Sequence, residues 1–454
     1  MDWNKLLCSD QTGNARSPID QKEEGRDQFQ RDFDRIIFST AFRRLNGKTQ
    51  VVPFPTSDHT HTRMVHSLET ASVGRSLGYL VGSKIISKHK IKKDITPYDF
   101  ACLLAAACLA HDIGNPPLGH SGEAAISHFF QNISEEYFNN QTEDIKLFYD
   151  SPLSNELKSF NGNAMGFRLL TYTSKAESNL VGGMGLSYAT LGTFTKYPYT
   201  LRLSKDDKYG FFTADRDVFA SIAEKLGLIQ MDSSKWCRHP LAFLVEAADD
   251  ICNRIMDFED GYDRGLLSFS EIERIFKSIL NLRREELTHY KENVEEKTKI
   301  KYLRARVINK LISQVIKHFI KCEDGILNGK YDGELIREIK ASKQLEEIYK
   351  LSSEKIYSDS SVVQIEAAGF KVLPGLLTSF FHPALMNTDN DSNENHKKYD
   401  SRSKKDRKLR SLIPSPYLSG ETQEEKILNI VQYVACMTDW FAVDTFRRIE
   451  GIEI

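Results

Sequence analysis

Four residues of this chain could share a metal ion: His66, His111, Asp112 and one aspartate of the pair Asp249-Asp250. Two imidazoles and two carboxylates form a mixed nitrogen and oxygen ligand set, which suits Mn, Fe, Co, Ni or Mg better than a thiolate site would. Such a set leaves coordination positions open for water and for a substrate oxygen. A single histidine in a helical pattern is usually a surface or core residue, but the four together are much more specific. The sequence therefore predicts a divalent metal centre.

Charged side chains close to these ligands in sequence could bind a phosphate and transfer a proton. Arg63 lies three residues before His66 and shares its helix face, so its cation could hold a phosphate that is delivered to the metal. His120 and Glu123 follow a loop of glycines and prolines. At their spacing a carboxylate can orient a histidine for acid–base chemistry. An ordinary capped turn is the alternative interpretation of that loop when it is considered alone.

A helix must carry the His111-Asp112 pair. Thr96-Pro97 is typical of a helix start, and an apolar stretch continues the helix toward the pair. The glycine and prolines of 114–117 then stop it, because a proline cannot donate to the helical ladder. Ser121 is predicted to cap a following helix over 123–130.

A third helix, over about 240–256, must carry the remaining ligand. Apolar residues recur there at spacings of three and four, which predicts one buried stripe. Asp249 and Asp250 interrupt the stripe, and a buried carboxylate needs a cation or hydrogen-bond partners. A salt bridge and a metal ligand are equally good interpretations of this acidic pair by itself.

The remaining sequence is also rich in helical patterns, whereas strand signals are sparse, so the predicted fold class is all-α. Residues 187–209 are predicted as loop or short strand. Residues 387–410 have little to bury and are predicted as a mobile surface loop, with a basic patch for nucleic acid or phosphate as the alternative. Further long helical patterns cover roughly 271–295, 301–321, 334–356 and 424–449.

Length and composition limit the class of function. The 454 residues carry 61 Lys and Arg against 63 Asp and Glu, and 40% are hydrophobic. These values fit a soluble globular protein and argue against a polybasic nucleic-acid binder. The longest apolar run, 101–110, is too short to span a bilayer, and the first five residues lack the apolar core of a secretory signal, so no membrane partner is expected. Seven scattered cysteines without a C-x-x-C pair favour reduced thiols in the cytoplasm.

These motifs resemble the HD phosphohydrolase superfamily, and within it the bacterial deoxynucleoside triphosphate triphosphohydrolases, the dGTPase-like family. The most specific match is residues 111–123, HDIGNPPLGHSGE. The resemblance spans nearly the whole chain, which makes a chance match of these motifs a poor explanation. Further segments similar to the family are 35–45, 48–51, 160–164, 246–251 and 437–439.

The resemblance implies a fold and an activity. The fold is a single body over 1–454, with an HD metal-binding core at 31–260 and a helical C-terminal part at 261–454 that completes the substrate pocket. The activity is metal-dependent hydrolysis of a dNTP to a deoxynucleoside and inorganic triphosphate, which serves control of the dNTP pool. Family habit makes dGTP the expected substrate and Mg²⁺ or Mn²⁺ the expected ion, with Fe, Co and Ni also compatible.

The resemblance also implies roles for single residues. The metal ligands are the four residues named above, with Asp249 taken as the ligand because the family's motif puts it first in its pair. His120 is the catalytic histidine and Glu123 is its partner. The implied substrate contacts are Gln50 at the sugar or base, Arg63, Lys196 and Lys208 at the triphosphate, Asp257 at the deoxyribose 3′-hydroxyl and Glu366 near the base.

Two positions depart from the family pattern. Asn253 stands where these enzymes usually have a tyrosine near the phosphates or sugar, so that contact is not implied here. Asn161 replaces a common glutamate in segment 160–164. Neither change touches the metal set.

Partners and rival functions follow from the same comparison. Family members assemble as homo-oligomers, often hexamers, and some are activated by a nucleotide effector. One rival is an HD phosphohydrolase that acts on another phosphoester, such as a nucleoside monophosphate or a cyclic dinucleotide, but the loop over 115–123 argues against it. The other rival is a nucleotide-sensing or single-strand DNA-binding protein with a degenerate site, which predicts a missing ligand, whereas all four are present.

Overall fold

The computed structural model describes residues 1–13, 27–50, 61–133, 148, 151–173, 183–282, 295–385 and 401–452, and these are overwhelmingly helical, which confirms the all-α prediction. One antiparallel pair of short strands, β1 (Gln230–Asp232) and β2 (Lys235–Trp236), is present in these ranges. The α-helices are α1 (Trp3–Leu6), α2 (Gln28–Phe38), α3 (Thr40–Arg44), α4 (Arg63–Lys88), α5 (Pro97–Ala110), α6 (Gly119–Asn132), α7 (Pro152–Lys158), α8 (Gly162–Thr171), α9 (Tyr188–Phe194), α10 (Arg216–Leu226), α11 (Ala242–Asp263), α12 (Phe269–Leu280), α13 (Glu296–Leu327), α14 (Ser342–Ser352), α15 (Ser360–Leu385), α16 (Ser401–Arg410), α17 (Ser415–Leu418), α18 (Gln423–Ala435) and α19 (Asp439–Ile449).

Helix α5 is the buried centre of the site-bearing region. Its start is fixed by a capping box, in which the Asp99 carboxylate accepts from the Thr96 backbone N–H at 2.7 Å. Its residues from Phe100 onward are buried on every side, as expected for a helix without a polar face. Helices α2, α4 and α9 pack around it. The chain leaves α5 at His111, so the predicted metal pair lies at the end of this buried helix.

Helix α4 approaches α5 closely enough to bring His66 to the end of α5. The approach depends on a glycine, because a Cβ on Gly78 would lie only 2.4 Å from the Phe100 carbonyl oxygen. Only a residue without a side chain fits at that distance. Helix α11 packs against both α4 and α5 and brings Asp249 to the same place.

Helix α6 begins earlier than the sequence predicted. It starts at Gly119 rather than at residue 123, and Ser121 lies inside the helix instead of capping it. The residue before the helix, Leu118, has a left-handed backbone with φ of 63°, which is unfavourable for a leucine. A tertiary contact holds it there, since the Leu118 N–H donates to the Asp439 carboxylate at 2.9 Å. Periodicity within one segment carries no information about such a contact.

Several predicted elements differ from the observed ones. Residues 424–449 form two helices rather than one, because Thr438 interrupts the run and caps α19 by accepting from the Phe441 N–H. Residues 334–356 divide into a 3-10 turn, α14 and a π turn at Ser353–Tyr357. Segment 187–209 contains α9. The structure has a helix at 401–410 where the sequence predicted a mobile loop, and the rest of that predicted loop, 387–400, lies outside the described residues.

Two hydrophobic clusters form the core. The larger one includes residues of α4, α5 and α11 to α14, and the smaller one includes residues of α6 to α8, α15 and α18. The cavity that holds the candidate site is lined from both groups of helices. Among the described residues, no helix is both long enough and apolar enough to cross a membrane.

Candidate metal and nucleotide site

The four predicted metal ligands meet around one point. The Asp249 Oδ1 atom lies 3.0 Å from His66 Nε2 and 3.4 Å from His111 Nε2. The Asp112 Oδ1 atom lies 3.7 Å from His111 Nε2. One ligand atom from each of His66, His111 and Asp112 falls within 4.8 Å of the other two. Side chains from α4, the end of α5 and α11 therefore form a candidate histidine and carboxylate metal cluster.

The nitrogen atoms of His111 fit a metal ligand. Its Nδ1–H donates to the Cys108 carbonyl oxygen at 2.7 Å, which fixes the ring and directs Nε2 toward the two carboxylates. That Nε2 atom is buried and has no hydrogen-bond partner within the described part of the chain. A buried acceptor nitrogen that faces two carboxylates is suited to a divalent cation.

The electrostatics of the cluster favour a positive charge at its centre. Burial lowers the pKa of His111, but Asp112 and Asp249 outweigh burial and raise it to about 9. Burial raises the pKa of Asp249, but His111 and His66 outweigh it and hold that pKa well below its usual range. A proton on His111 thus takes the place that a cation would occupy, and metal binding would release it.

Asp249 rather than Asp250 approaches the histidines. Asp250 points toward Arg254, whose Nη2 atom lies 4.0 Å away. Burial, and then the charge of Asp249, raise the pKa of Asp250 to about 7. Asp249 thus faces the two histidines and Asp250 faces away from them, while the assignment of Asp249 as a metal ligand stays a prediction.

The remaining predicted ligand, Asp112, is held from two sides. Arg63 Nη1 donates to Asp112 Oδ2 at 3.0 Å, and Asn115 Nδ2 donates to Asp112 Oδ1. Burial would raise the pKa of Asp112, but the charges of Arg63 and His111 lower it. Arg63 is itself buried at the first position of α4. The predicted phosphate-binding arginine thus also orients a predicted metal ligand.

His120 and Glu123 form a pair at the start of α6. The His120 Nδ1 atom lies 2.8 Å from Glu123 Oε2, while Glu123 Oε1 accepts from the Gly162 N–H at 2.6 Å. The His120 side chain is 84% exposed, whereas Glu123 is buried. Burial raises the pKa of Glu123, but its hydrogen bond to His120 and the charge there lower it. An ionised Glu123 holds the proton on Nδ1, which leaves Nε2 to exchange a proton with a ligand.

Segment 160–164, identified from the sequence, serves to position Glu123. A Cβ on Gly162 would lie 2.9 Å from Glu123 Oε1 and 2.7 Å from Asn115 Oδ1. The backbone N–H can reach the carboxylate only because glycine has no side chain. Asn161 caps α8 by accepting from the Asn163 N–H, so it has a local structural role at this family departure.

A cavity of about 630 Å³ brings the predicted residues together. His66 lies behind the cavity wall, fully buried. The other predicted site residues line the cavity: Gln50, Arg63, His111, Asp112, His120, Glu123, Lys196, Lys208, Asp249, Asp257 and Glu366.

Lys196, one of the predicted phosphate contacts, is paired with a carboxylate. Its Nζ atom lies 3.0 Å from Glu246 Oε1, and Arg238 binds the other oxygen of Glu246 at 2.9 Å. Burial lowers the pKa of Lys196, but the charge of Glu246 outweighs burial and raises it. Lys196 therefore keeps its charge in the cavity wall. Sequence reasoning missed Glu246 as its partner, although Glu246 lies in a segment that it had identified.

Among the residues that the structure describes, Asp257 and Gln50 each place an oxygen without a hydrogen-bond partner in the cavity wall. Asp257 Oδ2 accepts from the Tyr357 hydroxyl at 2.6 Å, but Asp257 Oδ1 is buried and unpartnered among the residues that the structure describes. Burial raises the pKa of Asp257 to about 6, despite the hydrogen bond from Tyr357. Gln50 Oε1 is likewise buried without a partner in those ranges. A ligand hydroxyl or N–H group could satisfy either atom.

Sequence reasoning missed a cross-link that holds the site loop. Lys48 is buried and its Nζ atom donates to the carbonyls of Asn115 at 2.6 Å and Ala435 at 2.8 Å. Burial lowers the pKa of Lys48 to about 8. The Asp439 carboxylate accepts from the Thr49 N–H at 2.9 Å, besides its bond from the loop before α6. Both residues lie in family-like segments, which was the available signal.

A neighbouring histidine cluster has a different character. His61 Nδ1 lies 2.9 Å from Asp260 and its Nε2 lies 3.0 Å from Glu69. Burial lowers the pKa of His61, but the hydrogen bonds to Asp260 and Glu69 raise it to about 10. His61 belongs to two candidate metal clusters, one with His66 and Glu69 and one with Asp257 and Asp260. A doubly hydrogen-bonded imidazolium satisfies both carboxylates without a metal ion.

Comparison with known proteins places the chain in a family. A protein of Synechocystis sp. named deoxyguanosinetriphosphate triphosphohydrolase-like is 38% identical over 100% of both chains. A protein of the same name from Pseudomonas aeruginosa is 35% identical over 99% of both, and a deoxyguanosinetriphosphate triphosphohydrolase of Salmonella paratyphi A is 28% identical over 94% of both. No family model matches the chain. At this identity and coverage, the chain belongs to the deoxyguanosinetriphosphate triphosphohydrolase-like family, a family of hydrolases.

Proposed function

We propose that this protein is a metal-dependent dNTP triphosphohydrolase, with dGTP as its first expected substrate. The observation that carries the proposal is the convergence of two imidazoles and two carboxylates around one point, next to a cavity lined by His120 and by lysine and arginine cations. The names of the relatives support the substrate class. The reaction would yield a deoxynucleoside and inorganic triphosphate and would serve control of the dNTP pool in the cytoplasm.

His66, His111, Asp112 and Asp249 would hold the metal. When bound, a divalent cation such as Mg²⁺ or Mn²⁺ would supply Lewis-acid polarisation of a phosphate oxygen and acidify a bound water. The four side chains are already fixed by their own hydrogen bonds, which reduces the cost of ordering them.

The cations of the cavity would bind the triphosphate. A nucleoside triphosphate carries roughly three to four negative charges near neutral pH, and fixed cations stabilise the charge that develops during phosphoryl cleavage. Arg63, Lys196 and Lys208 line the cavity. Arg63 and Lys196 are bound to carboxylates in this structure, so they are positioned before a ligand arrives.

His120 would perform the proton transfer. Because Glu123 holds the proton on Nδ1, the exposed Nε2 atom can protonate the leaving 5′-oxygen or accept a proton from the attacking water. Gln50, Asp257 and Glu366 would contact the sugar and base, and a close fit around the 2′-carbon would exclude ribonucleotides.

Product analysis tests the proposal. Each of the four dNTPs and GTP is incubated with the protein and Mg²⁺ or Mn²⁺, and products are separated by ion-exchange chromatography. We expect inorganic triphosphate and deoxynucleoside, fastest from dGTP and much more slowly from GTP. Orthophosphate or pyrophosphate as the product would instead indicate an HD phosphohydrolase of another kind, and cleavage of GTP as fast as dGTP would refute the steric model.

We also propose single-strand DNA binding as an additional property, because helix α16 presents exposed Lys404, Lys405, Arg407 and Lys408. Binding through phosphates predicts that the association constant for an oligothymidine falls steeply with salt. Salt-independent affinity, or unchanged affinity after reversal of these charges, would refute it.

Two further properties remain predictions: assembly as a homo-oligomer, with a hexamer expected, and activation by a nucleotide effector. Light scattering tests the assembly, and kinetics with mixed dNTPs test the activation.

A further inference from the structure

We propose that Asn253 is a positioning residue that links the metal ligand Asp249 to Gln50 and thereby directs the carbonyl oxygen of Gln50, a hydrogen-bond acceptor, toward the ligand. The proposal rests on the proposed function for the identity of the ligand. Its structural part concerns only the three side chains.

The first link joins Asn253 to the metal set. The two residues lie one turn apart on α11, and Asn253 Nδ2 is 2.7 Å from Asp249 Oδ1. A metal-binding carboxylate is ionised and can only accept hydrogen bonds. Asn253 must therefore turn its NH₂ group toward Asp249, whichever way its amide is built. This bond restrains the carboxylate from outside the metal shell.

The second link joins Asn253 to Gln50. With the NH₂ group of Asn253 committed to Asp249, its Oδ1 atom faces Gln50, and Gln50 Nε2 lies 2.8 Å from it. An amide oxygen accepts only, so Gln50 must turn its own NH₂ group toward Asn253. The backbone of Gln50 is fixed as well, because its N–H donates to the His61 carbonyl oxygen at 3.1 Å.

The polarity of Gln50 toward the cavity follows. Its Oε1 atom is buried and has no hydrogen-bond partner among the described residues, and Gln50 lines the cavity. A buried carbonyl oxygen without a partner is unfavourable, and a ligand group that donates a hydrogen bond relieves it. The ligand group that binds at Gln50 Oε1 is therefore a donor, either a sugar hydroxyl or a base N–H.

The spacing of three residues along α11 supports a ligand that places its phosphate at Asp249 and its sugar near Gln50. Asp249, Asn253 and Asp257 lie on successive turns of one face, about 6 Å apart along the axis. A ligand whose phosphate is at Asp249 would place its sugar beside Asn253 and Asp257. Gln50 contacts α11 through its hydrogen bond to Asn253, which lies on the middle one of these three turns.

Metal affinity tests the first link without any turnover. Mn²⁺ is titrated calorimetrically into the wild type, Asn253→Leu and the matched control Gln50→Leu, after circular dichroism has shown equal folding. We expect Asn253→Leu to weaken Mn²⁺ binding about 10- to 100-fold, as loss of an outer-shell hydrogen bond does. We expect Gln50→Leu to stay within about twofold of the wild type, because Asn253 keeps its bond to Asp249. Asn253→Ala takes the same test if the leucine variant does not fold.

Coupling in KM tests the second link. Asn253→Leu should raise the KM for dGTP in the wild-type background but not in the Gln50→Leu background, whereas its effect on Mn²⁺ binding should persist in both. Independent effects on KM that simply multiply, or unchanged Mn²⁺ affinity in Asn253→Leu, would overturn the proposal. Absence of triphosphate release would instead refute the proposed function, and the metal titration would still decide whether Asn253 positions Asp249.

Ligand analogues test the polarity of Gln50. Binding of dGTP, 2′,3′-dideoxy-GTP and dITP is measured for the wild type and for Gln50→Leu. If the sugar hydroxyl is the donor, removal of the 3′-hydroxyl weakens wild-type binding by about 10-fold or more but hardly affects Gln50→Leu. If the base amino group is the donor, the change from dGTP to dITP weakens binding to the wild type by a similar factor but hardly affects binding to Gln50→Leu. Equal penalties in both proteins for both analogues would show that Gln50 does not accept from the ligand.

Discussion

Replacement of Glu123 by glutamine should invert the hydrogen bonding of His120. The Glu123 carboxylate accepts on both oxygens, from His120 Nδ1 at 2.8 Å and from the Gly162 N–H at 2.6 Å. A glutamine can keep the bond from Gly162 with its oxygen, which turns its NH₂ group toward His120. Nδ1 of His120 must then accept, so the proton moves to Nε2. The histidine would present the wrong tautomer to the ligand for a base, and would lose the carboxylate that stabilises its protonated form.

The size of the effect follows from this geometry. Loss of a positioned acid–base group costs typically 10²- to 10⁴-fold, or about 2.7–5.4 kcal/mol of transition-state stabilisation. Glu123→Gln should therefore lower kcat by about that factor, whereas the KM for dGTP and the Mn²⁺ affinity should change little, since Glu123 binds neither the metal ligands nor the cavity cations directly. Steady-state kinetics with product detection measures kcat and KM separately and so tests this expectation.

A double variant separates this mechanism from general damage. His120→Ala should lower kcat by a similar factor and should keep metal and nucleotide binding. The variant that carries both changes should be scarcely slower than His120→Ala, because the two residues act as one unit. Full activity of His120→Ala would remove the histidine from the mechanism. A multiplicative loss in the double variant would show that Glu123 acts by another route.

Three further predictions concern packing, metal and pH. Gly162→Ala should lower the free energy of unfolding by roughly 1–3 kcal/mol in chemical denaturation and reduce kcat, because its methyl group would collide with the Glu123 carboxylate at 2.9 Å. A chelator should abolish activity, and Mn²⁺ at about 100 times its Kd should restore it. The same Mn²⁺ concentration should raise the free energy of unfolding by about 2.7 kcal/mol, which is measured as a higher Tm. Burial raises the pKa of Glu156 from 4.5 to about 7, so the unfolded chain releases this proton first as the pH rises, and the wild-type stability falls between pH 4.5 and 7. Glu156→Gln keeps an acceptor for Thr213 but cannot titrate, so it should not lose stability over this pH window. Its free energy of unfolding relative to the wild type should therefore rise by up to about 3 kcal/mol between pH 4.5 and 7. A difference that stays constant with pH would contradict the raised pKa of Glu156.

The predictable parts of the structure are those with a local cause. Helix α5 follows from its capping box and from an uninterrupted apolar run, both visible in the sequence. The metal pair after it follows from the helix-stopping prolines. The acidic interruption of α11 was ambiguous between a salt bridge and a ligand, and the structure shows that its two members differ, since Asp249 faces the histidines and Asp250 faces Arg254.

The parts that sequence patterns missed have causes far away in the chain. The start of α6 depends on the bond from Leu118 to Asp439, which are 321 residues apart. The break before α19 has a local cap at Thr438, yet the hydrophobic periodicity on both sides of it resembles one long helix. A helical pattern reports which residues face the core. It does not report which carboxylate will accept from a buried turn that is distant in the sequence.

The hydrogen bonds of Asp439 to distant segments also explain why the site needs the C-terminal helices. Asp439 is the first residue of α19, and its two oxygens accept from Thr49, next to Gln50, and from Leu118, two residues before His120. Lys48 adds a parallel bond from the same segment to the carbonyl of Asn115, whose amide holds Asp112. The residues proposed to contact the substrate, to bind the metal and to transfer a proton thus share supports that belong to no single segment. Because removal of one partner leaves a buried charge unpaired, weakening this junction should disturb all three functions together, whereas a change within one of them, such as Glu123→Gln, should not.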